Sequence, residues 1–301
     1  MSMDGGDLSP ARMNSAMDEV EKRTLYGLPS AAKRIRIKPL PHNRPVVNLV
    51  LFILTVLSTY LLGGIWYSAT ILMILLAHEM GHYLTCRFYG IPVTLPFFIP
   101  FPYLNPFGTM GALIQIRGAI PNRRALFDIG AAGPLAGLVL TLPAIYFGIA
   151  RSEIVAVAQI DQTGISLGES LIFKLLSVLA VGSVPEGSDI LLHPMAYAGW
   201  AGLFVTSLNL LPIGQLDGGH ISYSMAGRNW HRLNRVFLIG LGILTVIYVG
   251  WAVLFLLLLL LGRRHPPPVD DITPLDKYRR ILGYLIFVIF LLSFTPVPIK
   301  L

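Results

Sequence analysis

The stretch "SATILMILLAHEMGHYL", residues 68–84, places three ionisable side chains in a segment apolar enough to enter a bilayer. His78, Glu79 and His82 form the pattern His-Glu-x-x-His, and a helix puts both imidazoles of that pattern on one face. Two such nitrogens bind one tetrahedral zinc ion and leave positions for a third ligand and a water molecule. Because ionisable residues at membrane depth are costly and normally mark a function, we predict a metal site here.

The composition of the chain is that of a membrane protein. Of its 301 residues, 54% are hydrophobic and only 13% are charged, whereas about a quarter of a soluble domain is charged. The formal net charge of +7 comes from basic residues beside apolar segments, as anchoring at a cytoplasmic surface requires, and no nucleic-acid-binding motif accompanies them. We therefore expect the lipid bilayer, and no nucleic acid, as a partner.

Six apolar segments are long enough to be membrane spans, each of which needs about 20 residues. We predict an all-α polytopic membrane protein with about six transmembrane helices. Its parts are a cytoplasmic, partly disordered N-terminal tail (1–44), a first transmembrane helix (45–67), a metal-binding core (68–222) and C-terminal transmembrane helices (223–301). The six apolar segments are 46–66, 68–87, 125–150, 195–213, 236–261 and 280–296.

The charges of the connecting segments predict the orientation. A cytoplasmic N-terminus puts the basic segments 88–124 and 214–235 inside and the acidic loop 151–194 outside, in agreement with the positive-inside rule. The basic stretch 263–280 disagrees if 236–261 crosses once. Either that segment is bent or crosses twice near Gly250, or the stretch breaks the rule. We expect a multi-pass protein of the plasma (inner) membrane with its site toward the cytoplasmic side.

The segment 91–122 is apolar, but five closely spaced prolines in its first half prevent a continuous helix there. It is either an interfacial loop or a re-entrant loop whose second half, Gly111–Arg117, forms a short strand beside the site. The two possibilities are compatible. Irregular backbone at membrane depth must be sheltered by protein or by a polar cavity. The prolines are Pro92, Pro96, Pro100, Pro102 and Pro106.

Asp217 is the best candidate for a third metal ligand. It follows the fourth apolar segment, where Pro212, Gly214, Gly218 and Gly219 break the helix and allow a carboxylate to turn inward. The predicted topology puts 78–82 and 209–217 near the same, cytoplasmic ends of their spans.

Other polar residues near these segments have competing interpretations. Asp128 is the main rival of Asp217, although an acidic residue at a helix start also interacts favourably with the helix dipole. His220 is either a ligand or, as we favour, a residue outside the ligand set. Asn209 either hydrogen-bonds a neighbouring helix or donates to a substrate carbonyl or an oxyanion. Cys86 has no partner thiol and is interpreted as a small apolar filler.

Three motifs, in this order, resemble those of the site-2 protease family of intramembrane zinc metalloproteases. They are "HEMGH" (78–82), "GPLAG" (133–137), which suits close helix packing, and "NLLP" (209–212) followed by "LDGG" (216–219). The resemblance covers roughly residues 68–222, and the proline-rich segment after the first motif is similar to the family's membrane-associated β-hairpin and loop. Unlike many bacterial members, this chain carries no PDZ insert between the motifs.

The resemblance implies an enzyme and assigns its site. One Zn²⁺ per chain would be bound by His78, His82 and Asp217, with Glu79 as the general base and Asn209 assisting substrate binding or the transition state. The family cleaves transmembrane protein substrates. Two other classes stay open at this stage: a membrane metal-binding protein or transporter, and a membrane di-iron oxidase. The first predicts ionisable residues spread over several spans, and the second usually needs many more histidines than the seven present here.

Overall fold

Eight α-helices and three two-stranded antiparallel sheets form the part of the chain that the computed structural model describes, residues 45–102, 105–157, 166–262 and 265–300. The predicted tail 1–44 lies outside these residues. The helices are α1 (Pro45–Phe88), α2 (Arg123–Ile149), α3 (Leu171–Val181), α4 (Pro194–Asn209), α5 (Asp217–Ala226), α6 (Trp230–Ile247), α7 (Ala252–Leu261) and α8 (Lys277–Ser293). The strands are β1 (Phe97–Pro100), β2 (Thr109–Leu113), β3 (Glu153–Ala156), β4 (Ser166–Leu167), β5 (Ser188–Leu191) and β6 (Ile299–Lys300).

The prediction of a helical membrane protein is confirmed, but six membrane-spanning helices are not. Among the described residues, α1, α2 and α6 are long and apolar enough to cross a bilayer. The predicted spans 195–213 and 280–296 form α4 and α8, which have 16 and 17 residues. At 1.5 Å per residue such helices reach about 24–26 Å, somewhat less than the hydrocarbon core of a bilayer.

α1 is broken at Gly63 and Gly64 into two arms, 45–62 and 65–88. Gly64 has φ 70° and ψ −168°, a region that only glycine occupies without strain. The arms fold back on each other, since the hydroxyls of Thr59 and Ser68 lie 2.8 Å apart across the break. The two predicted spans 46–66 and 68–87 are therefore confirmed as separate helical arms, with the break a few residues earlier than predicted.

The predicted single span 236–261 is a helical hairpin. α6 ends at Ile247, a 3₁₀ turn covers Val249–Trp251, and α7 runs back along α6. The return is shown by Asn234 near the start of α6, whose Nδ2 donates to the carbonyl of Gly262, 3.1 Å away. The bend near Gly250, one of the two possibilities that the charge pattern left open, is confirmed. The chain after residue 262 thus returns to the end of the fold that carries 214–235.

The proline-rich segment forms a β-hairpin against the first arm of α1. β1 pairs with β2 in the register Phe97–Leu113 and Phe98–Ala112. Asn48 donates from Nδ2 to the carbonyl of Pro96 at 3.0 Å, which ties the start of the hairpin to α1. The predicted hairpin is confirmed, but the strand lies at 109–113 rather than within 111–117. An isolated bridge between Val93 and Ile116 extends the pairing.

α2 is the central helix and packs against α1, α4 and α5. The segment 151–194 contains β3 and β5, which pair with each other, and the helix α3. β4 pairs with the C-terminal strand β6. These elements lie at the α4 N-terminus, the end opposite to the one where α4 reaches Asn209.

Residues 265–276, which we call the C-terminal strap, cross the start of α2. The backbone N–H of Val269 donates to the carbonyl of Ile120 at 2.9 Å, and Arg123 Nε contacts Asp271 Oδ1 at 2.9 Å. At the end of the strap, Asp276 caps α8, and the backbone and side-chain N–H groups of Arg279 hold the pKa of the Asp276 carboxyl below its usual range. The strap therefore fixes the C-terminal helices to the core.

Replacing Gly64 with alanine should lower the free energy of unfolding by about 1–3 kcal/mol, because an L-residue is strained at these angles. No atom lies within 4 Å of the added Cβ, so strain alone causes the loss. Gly240→Ala in α6 is the matched control, since its Cβ also meets nothing within 4 Å and alanine favours a helix. Unfolding in detergent micelles measures both; equal stability of the two variants would contradict the assigned backbone strain.

Candidate metal centre

His78 and His82 lie one helical turn apart in the second arm of α1 and face α2. Their Nε2 atoms are 3.1 Å apart, and the two residues are only 6% exposed. Helical spacing of four residues explains the common direction of the two rings. The sequence prediction that the imidazoles share one face is confirmed.

Small residues of α2 make room for these rings. A Cβ on Gly133 would collide with the His82 imidazole. A Cβ on Gly137 would make an ordinary contact with His78, 3.4 Å from the Cβ of that residue. Gly81 of α1 likewise lies against the carbonyl of Ala132. The "GPLAG" segment thus has the close-packing role predicted for it, and it packs directly on the metal-site histidines.

The backbone of α2 also fixes the tautomer of His82. Its Nδ1 lies 2.7 Å from the carbonyl oxygen of Ile129. A carbonyl can only accept, so Nδ1 carries the proton and donates it, which leaves the lone pair of Nε2 directed into the site. A hydrogen bond of this kind orients a metal-binding histidine.

Asp217 enters the site from a break between two helices. α4 ends at Asn209, the chain turns through 210–216, and α5 begins with Asp217. Its Oδ2 lies 3.2 Å from His78 Nε2 and its Oδ1 lies 3.3 Å from His82 Nε2. The predicted break is confirmed, except that Gly218 and Gly219 lie inside α5. They are there because any Cβ would collide with the carbonyls of Leu210 and Gly214.

The three side chains fit a tetrahedral metal ion. Ligand atoms about 2.0–2.1 Å from a tetrahedral zinc ion lie roughly 3.3–3.4 Å from one another. The three ligand atoms lie 3.1, 3.2 and 3.3 Å apart, close to this value. In addition, Asp217 Oδ2 is buried and has no hydrogen-bond donor among the described residues. Two neutral imidazoles and a carboxylate are a donor set that zinc accepts.

Glu79 and Asn209 border the same centre. Glu79 is 7% exposed, and its carboxylate faces the backbone N–H of Ile114, just beyond β2, and interacts electrostatically with His82 and Asp217. Asn209 is the last residue of α4, and its Nδ2 lies 3.3 Å from His78 Nε2. The structure therefore brings all five predicted site residues together, although it does not test their roles.

Asp128, the rival ligand, is engaged elsewhere. Arg279 of α8 forms a bidentate pair with it, Nε to Oδ1 at 2.8 Å and Nη2 to Oδ2 at 2.6 Å, and the Tyr89 hydroxyl donates to Oδ2. The paired residue is 151 positions away along the chain, so no local pattern indicates it.

His220 lies outside the ligand cluster. Its Nδ1 is 2.7 Å from Nε2 of His265 in the strap, whose Nδ1 donates to the carbonyl of Pro266. Burial lowers the pKa of His265 to about 3, so the ring is neutral and its Nε2 accepts from His220. Cys86 is buried against Ile91 and Ile129, as expected of an apolar filler. The sequence alone gave no role to His265.

The sequence of the chain matches known proteins over the region that forms this centre. A model of peptidase family M50 matches residues 66–257. The chain belongs to this family, the site-2 protease family. Membership confirms the resemblance of the three motifs.

Curated proteins are similar to this chain over most of its length. The probable zinc metalloprotease EGY1, chloroplastic, of Oryza sativa subsp. japonica is 32% identical over 238 residues, 76% of this chain and 40% of that protein. The probable zinc metalloprotease EGY2, chloroplastic, of Arabidopsis thaliana is 32% identical over 230 residues, 75% of this chain and 40% of its own length. The chain thus spans about two fifths of the length of these relatives.

Replacing Gly133 with alanine should weaken metal binding about tenfold or more, because the new methyl group displaces His82 from its position and from Ile129. Gly137→Ala is the control on the same face of α2, where the methyl group makes an ordinary contact, and should bind metal nearly as the wild type does. A competition titration with a chelator measures both affinities. Equal affinities in the two variants would contradict the assigned packing of His82.

Proposed function

We propose that this M50 family member is a zinc metalloprotease that hydrolyses peptide bonds within or next to transmembrane segments of membrane-protein substrates. The observation that carries the proposal is the convergence of His78, His82 and Asp217 beside the buried carboxylate of Glu79, in a chain of apolar helices. The relatives are named probable zinc metalloproteases, and these names support zinc as the metal. We propose one Zn²⁺ per chain.

His78, His82 and Asp217 would hold the zinc ion through Nε2, Nε2 and a carboxylate oxygen. When bound, zinc supplies Lewis-acid chemistry: it polarises a carbonyl group and lowers the pKa of a water molecule to about 7. The hydrogen bond from His82 Nδ1 to the Ile129 carbonyl keeps the imidazole of His82 oriented for metal binding.

Glu79 is the proton carrier in this proposal. It follows His78 directly in the helix, so its carboxylate borders the same centre, and burial excludes bulk water from it. The carboxylate takes the proton of the attacking water as the oxygen bonds to the scissile carbon. It then gives that proton to the leaving amine nitrogen as the C–N bond breaks.

Asn209 is proposed to stabilise the developing negative charge. Its Nδ2 is a fixed donor beside His78 Nε2, held at the end of α4 by the turn that follows. A substrate carbonyl oxygen bound at the centre would accept from this amide, and the interaction strengthens as the oxygen becomes anionic.

The edge of β2 is the proposed place where an unwound substrate segment pairs. The carbonyl of Gln115 accepts the backbone N–H of Thr94, and the backbone N–H of Arg117 donates to the carbonyl of Pro92. Backbone groups alternate in direction along a strand, so those of Ala112 and Ile114 point the other way. Ile114 faces Glu79, and in the described part of the chain β2 pairs with β1 alone. An extended peptide added at this edge would lie next to the base.

The orientation in the membrane follows from charge. Arg279 near the start of α8 pairs with Asp128 near the start of α2, so the basic start of α8 and the basic stretch 214–235 both lie at the end of the fold that carries the metal centre. By the positive-inside rule we propose that this end is cytoplasmic. The plasma-membrane assignment remains a prediction from sequence, and the relatives' names place those proteins in chloroplasts.

Replacing Glu79 with glutamine should leave metal binding intact and lower the rate of cleavage by about 10²–10⁴-fold, because the amide cannot carry the proton. His82→Ala is the control that should lose the metal as well. Metal content by mass spectrometry and cleavage of a reconstituted transmembrane substrate measure the two properties. A Glu79→Gln protein that cleaves at the wild-type rate would refute the protease proposal, and a wild type without zinc would refute the metal.

Replacing Ala112 with proline should slow cleavage of a transmembrane substrate about tenfold or more, because it removes an edge N–H donor worth roughly 1 kcal/mol or more. Ala112→Val is the matched control, since it changes the side chain but keeps the donor. Single-turnover cleavage rates in proteoliposomes are compared at equal metal content. If the proline and valine variants cleave equally fast, substrates do not pair with this edge.

A further inference from the structure

We propose that Asn234, in α6, is a positioning residue that holds the turn carrying Asp217 and so sets the metal affinity of the site. The inference rests on the proposed zinc chemistry for its functional meaning. Its structural part rests on two hydrogen bonds that join three separate elements of the chain: α6, the turn 210–216, and the end of α7.

Both the oxygen and the nitrogen of the Asn234 side-chain amide form hydrogen bonds. Its Oδ1 accepts the backbone N–H of Gly214 at 3.0 Å, and its Nδ2 donates to the carbonyl of Gly262 at 3.1 Å. Asn234 is 5% exposed, and Gly214 and Gly262 are also buried. No water competes for these groups there, so each hydrogen bond is costly to lose.

The turn that Asn234 holds determines where Asp217 lies. Leu216 is the N-cap of α5 and makes no side-chain capping hydrogen bond, so the start of that helix is not fixed by its own cap. The remaining hydrogen bonds of the turn, such as Leu216 N–H to Ile213 carbonyl at 3.3 Å, are local. The Gly214–Asn234 bond is the contact that anchors the turn to a different helix.

The conformation of Gly214 makes this anchor specific. Its φ is 61°, in the left-handed region, and a Cβ added to Gly214 would lie only 2.6 Å from the Cα of Gly262. The two glycines touch, and Asn234 bridges their backbones. A rotation of the Gly214 peptide would release the N–H and shift Asp217, three residues later, relative to the two imidazoles.

Substitutions of Asn234 that remove one or both of its hydrogen bonds should change the zinc affinity to different extents. Asn234→Leu removes both hydrogen bonds and should raise the dissociation constant for zinc about 10- to 100-fold, the usual effect of losing a partner that orients a ligand. Asn234→Asp keeps an acceptor for Gly214 and loses only the donor to Gly262. It should therefore bind zinc much more tightly than the leucine variant, although the α6–α7 hairpin is weakened in both.

The experiment measures metal affinity and local backbone protection in the full-length chain in detergent. Zinc affinity comes from competition with a chelator, and the absorption bands of the Co²⁺-loaded protein report the geometry of the ligands. Amide hydrogen exchange of peptides covering 210–217 is followed in the metal-free protein. Asn48→Leu is the matched control, because the amide of Asn48 also joins two elements. Asn48 lies near the start of α1, in the arm that does not carry the histidines, and donates to the carbonyl of Pro96.

We expect Asn234→Leu to show weakened zinc binding, altered Co²⁺ bands and faster exchange at 210–217, while Asn48→Leu keeps all three properties of the wild type. Unchanged affinity and unchanged exchange in Asn234→Leu would overturn the inference. If the leucine variant does not fold, Asn234→Ser, which is too short to reach Gly214, takes its place. A wild type that binds neither metal refutes the proposed function, whereas the exchange measurement still decides the role of Asn234.

Discussion

The metal centre depends on how closely two helices approach. The imidazole of His82 fits only because α2 presents Gly133 to it, while Gly137 leaves room beside the His78 ring and Gly81 lets the backbones of α1 and α2 come together. Tight packing of small residues is a principal source of helix association in a bilayer, where lipid removes the hydrophobic driving force. The same contact supplies the Ile129 carbonyl that fixes the His82 tautomer. Packing and ligand geometry are therefore one constraint, and the central position of α2 follows from it.

Broken helices supply what that pair of helices cannot. The chain leaves helical geometry at 63–64, 210–216 and 248–251. Exposed backbone groups cannot be left unpaired at membrane depth, and at 210–216 they are satisfied by local bonds and by Asn234. That break places Asn209 and Asp217 at the facing ends of two helices, so that both reach the histidines. A continuous helix would have separated them by about 12 Å at 1.5 Å per residue.

The sequence revealed features that depend on local chemistry and missed those that depend on distant partners. Helical spacing indicated the two histidines, and Pro212 with Gly214 indicated the break before Asp217. The α6–α7 hairpin was only one of two possibilities, because the apolar composition of 236–261 is continuous and the bend has no proline. The extent of β2 was wrong because the register of the hairpin changes between the Phe97–Leu113 pair and the Val93–Ile116 bridge, so the regular strand ends at Leu113. The partners of Asp128 and Asn234 lie in other helices, and nothing in the neighbouring sequence indicates them.

Under the proposed function, the β-hairpin and the base are best understood as one device. A transmembrane substrate helix hides its carbonyls in its own hydrogen bonds, and opening it in a bilayer leaves those groups unsatisfied at a large cost. The β2 edge offers replacement donors and acceptors at the point where the Ile114 N–H faces Glu79. A segment that pairs there loses its helical bonds and gains strand bonds, while its carbonyl comes next to the proton carrier. Unwinding and positioning then occur together, which explains why a proline-rich, apolar segment directly follows the helix that carries the histidines.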